Sequence, residues 1–182
     1  MKYIITETQY RFLSEDEVQK ILKLPGLDYF GSWEVLQKFL EKRGNPLYSI
    51  DGDLYLEETY IESLGNLVSV SGSLNLYDTQ LKSLGELKSV GGYLDLQKTE
   101  IESLGNLESV GNTLFMVNSQ VESLGKLKYV GGTLYLEKSK VKSFGELKYV
   151  GGDFYLYRTI LSKMYSKDEI RKMIDVGNRI IM

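Results

Sequence analysis

The chain of 182 residues contains no cysteine and no histidine, and only 2 prolines. The missing cysteine excludes disulfide bonds, thiol nucleophiles and cysteine-based zinc sites, and the missing histidine excludes Ser-His-Asp triads and histidine general bases. No apolar run reaches the roughly 18 residues of a membrane-spanning helix, and the first residues lack the apolar segment of a secretory signal. We therefore expect a soluble protein of a bacterial or host cytoplasm, without metal or cofactor.

Charged residues of the two signs are nearly balanced. There are 22 lysines and arginines against 25 aspartates and glutamates, a formal net charge of −3. This mild acidity disfavours binding to nucleic acid or to an anionic membrane through bulk electrostatics. Hydrophobic residues at 42% and charged residues at 26% are typical of a folded chain. The length fits one ordinary domain or one short repeat array.

The chain is rich in glycine, with 18 residues, and most of them recur at intervals of twenty. The repeated unit is xLxLxx(T/S)xΦxSLGxLxxVGG, in which Φ is aliphatic. The five near-complete copies begin at Gly52, Gly72, Gly92, Asn112 and Gly132. A sixth copy begins at Gly152 and loses the pattern, and a half copy occupies residues 47–52. Such self-similarity predicts a solenoid in which each copy forms one coil.

The apolar positions of the repeat predict a strand and a buried interior. The LxL segment alternates apolar and polar residues, so both apolar side chains should point inward. These inward pairs are Leu54 and Leu56, Leu74 and Leu76, Leu94 and Leu96, Leu114 and Met116, Leu134 and Leu136, and Phe154 and Leu156. Twenty residues leave no room for a full crossover helix, so successive strands should stack in parallel about 4.8 Å apart.

Four further apolar positions of each copy should fill the inside of the coil. They are Ile61, Leu64, Leu67 and Val70 in the first copy, and Ile101, Leu104, Leu107 and Val110 in the third. Burial of six such side chains, at roughly 1.5–3 kcal/mol each, offsets the entropy of ordering only when neighbouring coils cover them. One coil alone should therefore not fold.

Two glycine positions recur, and both are predicted to be structural. One follows the Ser-Leu pair, at Gly65, Gly85, Gly105, Gly125 and Gly145. The other is the Gly-Gly pair before each strand, at Gly91–Gly92, Gly131–Gly132 and Gly151–Gly152, with Asp51, Ser71 and Asn112 replacing single glycines. Either a left-handed φ or a close approach of backbones explains such positions. A phosphate-binding loop is disfavoured because the pair recurs in every coil without a following helix.

Hydroxyl side chains form two recurring columns. The first is Thr59, Thr79, Thr99, Ser119, Ser139 and Thr159, and the second is Ser63, Ser83, Ser103, Ser123 and Ser143. We expect these side chains to satisfy backbone groups of adjacent coils where the strand ends. They are not expected to be catalytic serines, because they recur in every copy and no base lies near them in the sequence.

The pattern LxLxxTxΦxSLGxL resembles a leucine-rich repeat with threonine or serine in the usual asparagine position, and the L-xx-VGG-xLxL phrase is similar to repeats of receptor L-domains. The resemblance covers about residues 47–161. It implies an α+β solenoid, a right-handed coil with a parallel sheet of about six strands, used for binding. The short repeat implies a flattened coil with little or no helix on its convex side. The Leu-Pro phrases of secreted bacterial effector repeats are absent, so an effector role is not supported.

Helices are predicted on both sides of the repeat, within a single domain of residues 1–182. Residues 1–46 should form the N-terminal cap, with a capping box at 14–17 that starts a helix containing Val18, Ile21 and Leu22 and ending at Pro25. A second helix is predicted from Ser32 to about residue 42, with one apolar side formed by Trp33, Leu36, Phe39 and Leu40. Residues 1–12 fit a paired strand or a docked arm equally well.

The C-terminal cap should comprise residues 162–182. Another capping box, at residues 166–169, precedes Ile170, Met173 and Ile174, and the helix can extend as far as Ile180. A stack of strands exposes apolar surface and unpaired backbone groups at each end. The apolar stripes of the caps are therefore expected to cover the solenoid ends, although they could also bind a partner helix.

The outward positions of the predicted strands carry the candidate binding site. Aromatic residues gather in the late copies, and charge is graded from acidic early copies to basic late ones. The candidate partner-binding residues are Phe115, Val117, Tyr135, Tyr155, Tyr157, Lys138, Arg158, Asp95 and Asn118. Tyrosine-rich surfaces are typical of binding hot spots. The alternative is that tyrosine and phenylalanine stand there because they favour strands.

We therefore expect a non-enzymatic protein-binding module that uses the exposed strand face, with the copy at 112–131 at the centre of the contact. The alternatives are a structural subunit of a bacterial or viral particle, an inhibitor of a host protein and, less favoured, a carbohydrate-binding protein that uses Asn75, Asp95 and Asn118 beside the tyrosines. Association between copies stays open.

A calcium site at Asp51, Asp53, Glu57 and Glu58 is disfavoured because these residues lack the spacing of a calcium-binding loop. Glycosidase chemistry is disfavoured because nothing predicts a pocket around paired carboxylates.

Overall fold

A computed structural model describes residues 21–182, which wind into a parallel β-solenoid of about 5 turns. Each twenty-residue copy contributes two short strands, one at its LxL segment and one just before the Gly-Gly pair. The strands build two parallel sheets, which we name the LxL sheet, with 7 strands, and the VGG sheet, with 8. We number the coils by their copies, so that coil 1 is residues 52–71, coil 5 is 132–151 and coil 6 begins at Gly152.

The two sheets alternate along the chain. The strands of the VGG sheet are β1 (Leu22–Pro25), β2 (Tyr48–Asp51), β4 (Leu67–Val70), β6 (Ser89–Val90), β8 (Ser109–Val110), β10 (Tyr129–Val130), β12 (Tyr149–Val150) and β14 (Asp175–Val176). The strands of the LxL sheet are β3 (Leu54–Tyr55), β5 (Leu74–Asn75), β7 (Leu94–Asp95), β9 (Leu114–Phe115), β11 (Leu134–Tyr135), β13 (Phe154–Tyr155) and β15 (Ile180–Ile181).

The prediction of a solenoid with parallel LxL strands is confirmed, but the single sheet of about six strands is wrong. In the LxL sheet, equivalent residues of successive copies pair in register on neighbouring parallel strands, for example Leu94 with Leu114. The second sheet arises because the residue pair before Gly-Gly is also extended and pairs with the next coil, as Val90 does with Val110. These strands are only two residues long, too short for period-two alternation to reveal them.

The interior of the solenoid is the apolar core that the repeat predicts. Every predicted LxL pair is buried, and Leu54, Leu74, Leu94, Leu114, Leu134 and Phe154 have no exposed surface. The other four apolar positions of each coil are buried as well, from Ile61 in the first copy to Val110 in the third. Because these side chains form one continuous cluster, each coil depends on its neighbours to exclude water from its leucines.

The corner between the two sheets is the tightest part of each coil. It is formed by the Gly-Gly pairs and their replacements, and we call it the Gly-Gly corner. The backbone N–H of Gly92 donates to the carbonyl oxygen of Gly72 at 2.7 Å, and the N–H of Gly152 donates to that of Gly132 at 2.8 Å. A methyl group on Gly111 would collide with the carbonyl oxygen of Gly91. Close backbone approach therefore explains this glycine column.

The opposite side of each coil, which we call the loop side, is more open. It contains the Ser-Leu-Gly turn, where Gly65, Gly85, Gly105, Gly125 and Gly145 all have φ between 54° and 58°. Left-handed φ therefore explains the second glycine column. Beyond the turn that directly follows each LxL strand, backbone hydrogen bonds within residues 21–182 join the loops of adjacent coils only between coils 4 and 5. There the backbone N–H of Lys140 donates to the carbonyl oxygen of Ser119 at 3.0 Å, and the backbone N–H of Lys142 donates to the carbonyl oxygen of Glu122 at 2.7 Å.

Apart from Ser139, the hydroxyls of the two columns bond within their own coil, which corrects the prediction that they bridge adjacent coils. The Thr79 hydroxyl donates to the carbonyl oxygen of Leu76 at 2.9 Å, and the Thr159 hydroxyl donates to that of Leu156 at 2.7 Å. The Ser83 hydroxyl accepts from the N–H of Gly85 at 3.0 Å. Each of these bonded hydroxyls lies within three residues of its partner, so the local turn is closed before a neighbouring coil is needed, whereas the buried Ser139 hydroxyl has no hydrogen-bond partner.

The N-terminal flank differs from the prediction. Leu22 and Pro25 lie in β1, parallel to β2, and not in a helix. The alternation of Leu22, Lys23 and Leu24 suits a strand, and Leu24 is buried. Ile21 is exposed and lies in no helix, whereas the earlier part of that predicted helix and residues 1–12 lie outside the described residues. A 3₁₀ turn spans Leu27–Tyr29.

The second predicted helix is confirmed as α1 (Trp33–Glu41), and the Ser32 hydroxyl caps it by accepting from the N–H of Val35 at 3.3 Å. Trp33, Leu36 and Leu40 join the core. Beside this helix, the buried Tyr48 hydroxyl donates to the carbonyl oxygen of Leu64 at 2.8 Å, and burial raises the pKa of Tyr48 to about 12.

The C-terminal flank contains two short helices, α2 (Leu161–Met164) and α3 (Lys167–Met173). The predicted capping box is present, because Ser166 and Glu169 each accept a hydrogen bond from the other's backbone N–H. The helix does not reach Ile180, which lies in β15. The outermost elements of the two sheets at this end are β14 and β15, so strands and not helices extend the sheets there. None of the helices in residues 21–182 is long and apolar enough to cross a membrane.

Candidate binding face

The outward side of the LxL sheet, which we call the LxL face, presents one residue of each coil between two buried ones. These residues are Tyr55, Asn75, Asp95, Phe115, Tyr135 and Tyr155. Because the strands are in register, each side chain lies directly beside its equivalent in the next coil. The face is therefore polar in coils 2 and 3 and aromatic in coils 4 to 6.

The aromatic part of the LxL face is a continuous ladder of rings. Phe115 stacks on Tyr135 with ring centres 5.1 Å apart and planes within 5°, and Tyr135 stacks on Tyr155 at 4.7 Å and 18°. Tyr93 contacts Phe115 edge-on at 6.3 Å. The spacing equals the distance between strands, so neighbouring rings cover each other's faces and turn their edges outward.

Two more candidate residues lie beyond the ladder. Val117 is half-buried, and Tyr157 is 47% exposed. The guanidinium of Arg158 lies 5.1 Å from the centre of the Tyr157 ring, a cation–π contact. The structure thus brings Phe115, Tyr135 and Tyr155 into direct contact and places Val117 and Tyr157 next to them on the same face.

Three candidate residues lie in the turn after the LxL strands with a left-handed backbone. Asn118, Lys138 and Arg158 follow the LxL strands with φ of 60°, 56° and 58°, the left-handed region. We call this column the rim, and it comprises Glu58, Asp78, Lys98, Asn118, Lys138 and Arg158, all exposed. The interpretation of this column as a strand position is wrong, because the chain leaves the sheet here and turns towards the loop side. Asp78 and Asn118 are the signal in the sequence for a turn at this column, because Asp and Asn tolerate a left-handed φ.

The early coils of the LxL face are acidic. The Asp95 carboxylate accepts from the N–H of Gln97 at 2.9 Å and from its side-chain amide at 3.2 Å, and partial burial raises the pKa of Asp95. The Tyr55 hydroxyl donates to Asp53 at 3.0 Å, and this bond raises the pKa of Tyr55 to about 12. Burial raises the pKa of Tyr93, with a further contribution from the charge of Glu57.

The VGG sheet carries a second aromatic pair that sequence reasoning missed. Tyr129 and Tyr149 stack with ring centres 5.0 Å apart and planes within 8°, and Tyr129 is 44% exposed. Beside them, Lys128 pairs with Glu108 at 2.9 Å. The signal in the sequence is the change from Ser-Val to Tyr-Val before the Gly-Gly corner in the last two full copies, and it points to a surface only once these residues are known to form a strand.

The polar hollows described on the loop side of residues 21–182 are open to solvent. One lies between coils and is lined by Thr99, Glu100, Glu102 and Gln120, open to solvent. Among residues 21–182 no three acidic side chains are grouped to hold a metal ion. Comparison of the chain with protein-family models, with curated proteins and with solved structures found no match.

Proposed function

We propose that this chain is a non-enzymatic protein-binding module related to leucine-rich repeats, and that it contacts its partner through the LxL face. The observation that carries the proposal is the outward ladder of Phe115, Tyr135 and Tyr155, extended by Val117 and Tyr157. Aromatic side chains provide a large contact area at a low cost in conformational entropy, and this is why binding hot spots are enriched in them.

The distribution of the aromatic residues favours binding over strand stability as their role. Coils 2 and 3 form the same parallel pairing with Asn75 and Asp95 at this position. The strand therefore folds without an aromatic residue there. Tyr157 takes no part in the stacked ladder and stays exposed. Its contribution to the strand pairs is small, whereas a partner would bury it.

The geometry of the ladder disfavours carbohydrate as the ligand. Sugars stack on open ring faces, but the faces of Tyr135 are covered by Phe115 on one side and by Tyr155 on the other. What the ladder offers to a ligand is ring edges and tyrosine hydroxyls, which suit the mixed apolar and polar surface of a protein. The carboxylates of Asp53 and Asp95 bond to backbone N–H groups on this open face, which supports a non-catalytic role.

Site-specific photo-crosslinking tests the proposal. A photoreactive phenylalanine analogue replaces Tyr157 on the LxL face and, in separate controls, Tyr60 on the loop side and Tyr129 on the VGG sheet. Their exposed fractions are 47%, 90% and 44%, so all three positions are accessible. In native lysate we expect a discrete crosslinked protein from position 157 alone, whether a foreign protein or a second copy.

The triple variant F115A/Y135A/Y155A provides the matching loss of function. These side chains lie outside the core, so we expect unchanged circular dichroism together with loss of the crosslink from position 157. Equal crosslinking from all three positions, or an undiminished crosslink in the triple variant, would show that the LxL face is not the binding surface.

A further inference from the structure

The charges of the rim change sign along the solenoid, from acidic in the first two coils to basic in the last two. From coil 1 to coil 6 the rim residues are Glu58, Asp78, Lys98, Asn118, Lys138 and Arg158. The first two are acidic and the last two are basic. All six share the same left-handed backbone conformation, so their side chains leave the chain in equivalent positions, one coil or about 4.8 Å apart.

A second copy of the chain complements this order when it is turned by 180° about an axis parallel to the strands. Such a rotation reverses the coil order, so coil 1 faces coil 6, and each column faces the same column of the other copy. Glu58 then faces Arg158, Asp78 faces Lys138, and Lys98 faces Asn118. By symmetry each of these pairs occurs twice.

The complementarity selects a single alignment of the two copies. When one copy is shifted by one coil, Lys98 meets either another Lys98 or Lys138, and one acidic residue loses its basic partner. A two-fold axis along the solenoid keeps the coil order but reverses the column order, so the rim faces the rim only when the axis runs along it, and there each coil opposes its own equivalent with like charges in contact. Like charges placed opposite each other weaken association.

The ladder column also matches under the same rotation. Tyr55 faces Tyr155, Asn75 faces Tyr135, and Asp95 faces Phe115. The ring edges that the ladder turns outward carry the positive end of the aromatic quadrupole, which suits the Asp95 carboxylate. The Tyr135 hydroxyl is placed to donate to the Asn75 amide oxygen. Between these columns Tyr77 faces Glu137, and Glu57 faces Tyr157.

The flanking columns limit the contact. Towards the Gly-Gly corner Asp53 faces Asp153, but Arg179 pairs with Asp153 at 2.7 Å and brings a positive charge to that contact. On the loop side the rotation opposes Lys82 to Lys142, and Glu102 to Glu122. These like-charged pairs require the contact to end just past the rim, where the chain turns away from the LxL face.

We propose that the partner of the LxL face is a second copy of this chain, bound as an antiparallel two-fold dimer with coil 1 against coil 6. This inference rests on the proposed function, because it uses the same face. Six coils and roughly 20 Å of strand and turn give each copy about 600 Å² of flat contact. This approaches the roughly 800 Å² of accessible surface per partner in stable interfaces.

Charge reversal at the rim tests the dimer. Glu58→Arg alone and Arg158→Glu alone each turn two attractive contacts into repulsive ones, and we expect each to weaken dimerisation about ten- to thirtyfold. An equimolar mixture of the two variants should recover the dimer. In the mixed dimer, the arginine introduced at position 58 of one variant faces the glutamate introduced at position 158 of the other. The unchanged Arg158 of the first variant then faces the unchanged Glu58 of the second. The double variant E58R/R158E should dimerise like the original chain. Sedimentation velocity over a range of concentrations measures all four.

Matched reversals away from the LxL face, Glu86→Arg in the Ser-Leu-Gly turn and Lys148→Glu next to β12, should leave the dissociation constant unchanged. A chain that stays monomeric at all concentrations, or rim variants that dimerise as well as the controls, would overturn the inference. A monomer that still crosslinks to a foreign protein from position 157 would leave the proposed function standing. A dimer that forms without any crosslink from position 157 would refute both.

Discussion

The two glycine columns of the solenoid have different physical causes. At the Gly-Gly corner, Gly91, Gly111 and Gly151 have ordinary φ, but a methyl group on any of them would collide with the carbonyl oxygen of the preceding coil. At the Ser-Leu-Gly turn, Gly125 has φ of 54° and no atom within 4 Å of where a methyl group would stand. The corner requires glycine because of its neighbour, and the turn requires it because of its own backbone.

The difference shows which side of the coil sets the distance between coils. Corner glycines let one backbone approach the next closely enough for the Gly92 N–H to reach Gly72. Turn glycines act within one coil, where the Ser83 hydroxyl accepts from the Gly85 N–H. A substitution at the corner should therefore disturb two coils, whereas one at the turn should disturb only its own, except at Gly145, which lies against the backbone of Gly125.

The largest effect is expected from Gly111→Ala. Its methyl group would overlap the carbonyl oxygen of Gly91, and a backbone cannot rotate away as a side chain can. We expect a loss of at least about 3 kcal/mol in the free energy of unfolding, measured by urea denaturation. Asn112→Ala is the control, because that position already carries a side chain, and it should cost about 1 kcal/mol at most. Equal stability of the two variants would refute the steric explanation.

A smaller and graded effect is expected at the turns. Gly125→Ala should cost about 1–2 kcal/mol, the penalty of a left-handed residue with a Cβ atom. Gly145→Ala should cost more, because its methyl group would also collide with the backbone of Gly125, where coils 4 and 5 are joined. Thermal unfolding of both variants, with Gly125→Asn as the milder control, measures the difference. Identical losses at 125 and 145 would contradict the tighter contact between these two coils.

The smallest effect, of opposite sign, is expected at the rim. Lys98 has φ of 56° without being glycine, so Lys98→Gly should raise the free energy of unfolding by about 0.5–1 kcal/mol. Lys88→Gly, next to β6 and without a left-handed φ, should lower it by a similar amount. Urea denaturation at high salt separates this change from the exposed ion pair of Lys98 with Asp78 at 3.9 Å. Two changes of the same sign would show that the rim backbone is not strained.

The sequence predicted what repeats and what is buried, because both depend on periodic local pattern. The inward side of Leu94 and Leu96 follows from alternation alone, and the capping box at Ser166 follows from four consecutive residues. The second sheet was missed because β8 and β10 are two residues long and stand before a glycine pair that suggests a turn. β1 was missed because its pairing with β2 is separated by about twenty-five residues, so no local pattern reveals it.

The candidate face was predicted less completely than the core. The side on which Phe115, Tyr135 and Tyr155 lie follows from period two, but their stacking depends on side-chain torsions that no pattern specifies. Lys138 and Arg158 were placed on strands because charged residues are common on exposed strand positions as well as in turns. The charge order along the rim was visible in the sequence, but its meaning depended on knowing that these six residues share one backbone conformation.

The unequal bonding of the two sides of each coil gives the solenoid a direction in which it bends easily. At the corner, backbone hydrogen bonds join each coil to the next, so the spacing between coils is fixed there. Past the rim, the loops of coils 1 to 4 share no such bonds, so the spacing of these loops can change without breaking a backbone hydrogen bond. The molecule should therefore flex by opening and closing its loop side about the corner, with the segment that joins coils 4 and 5 as the stiff part.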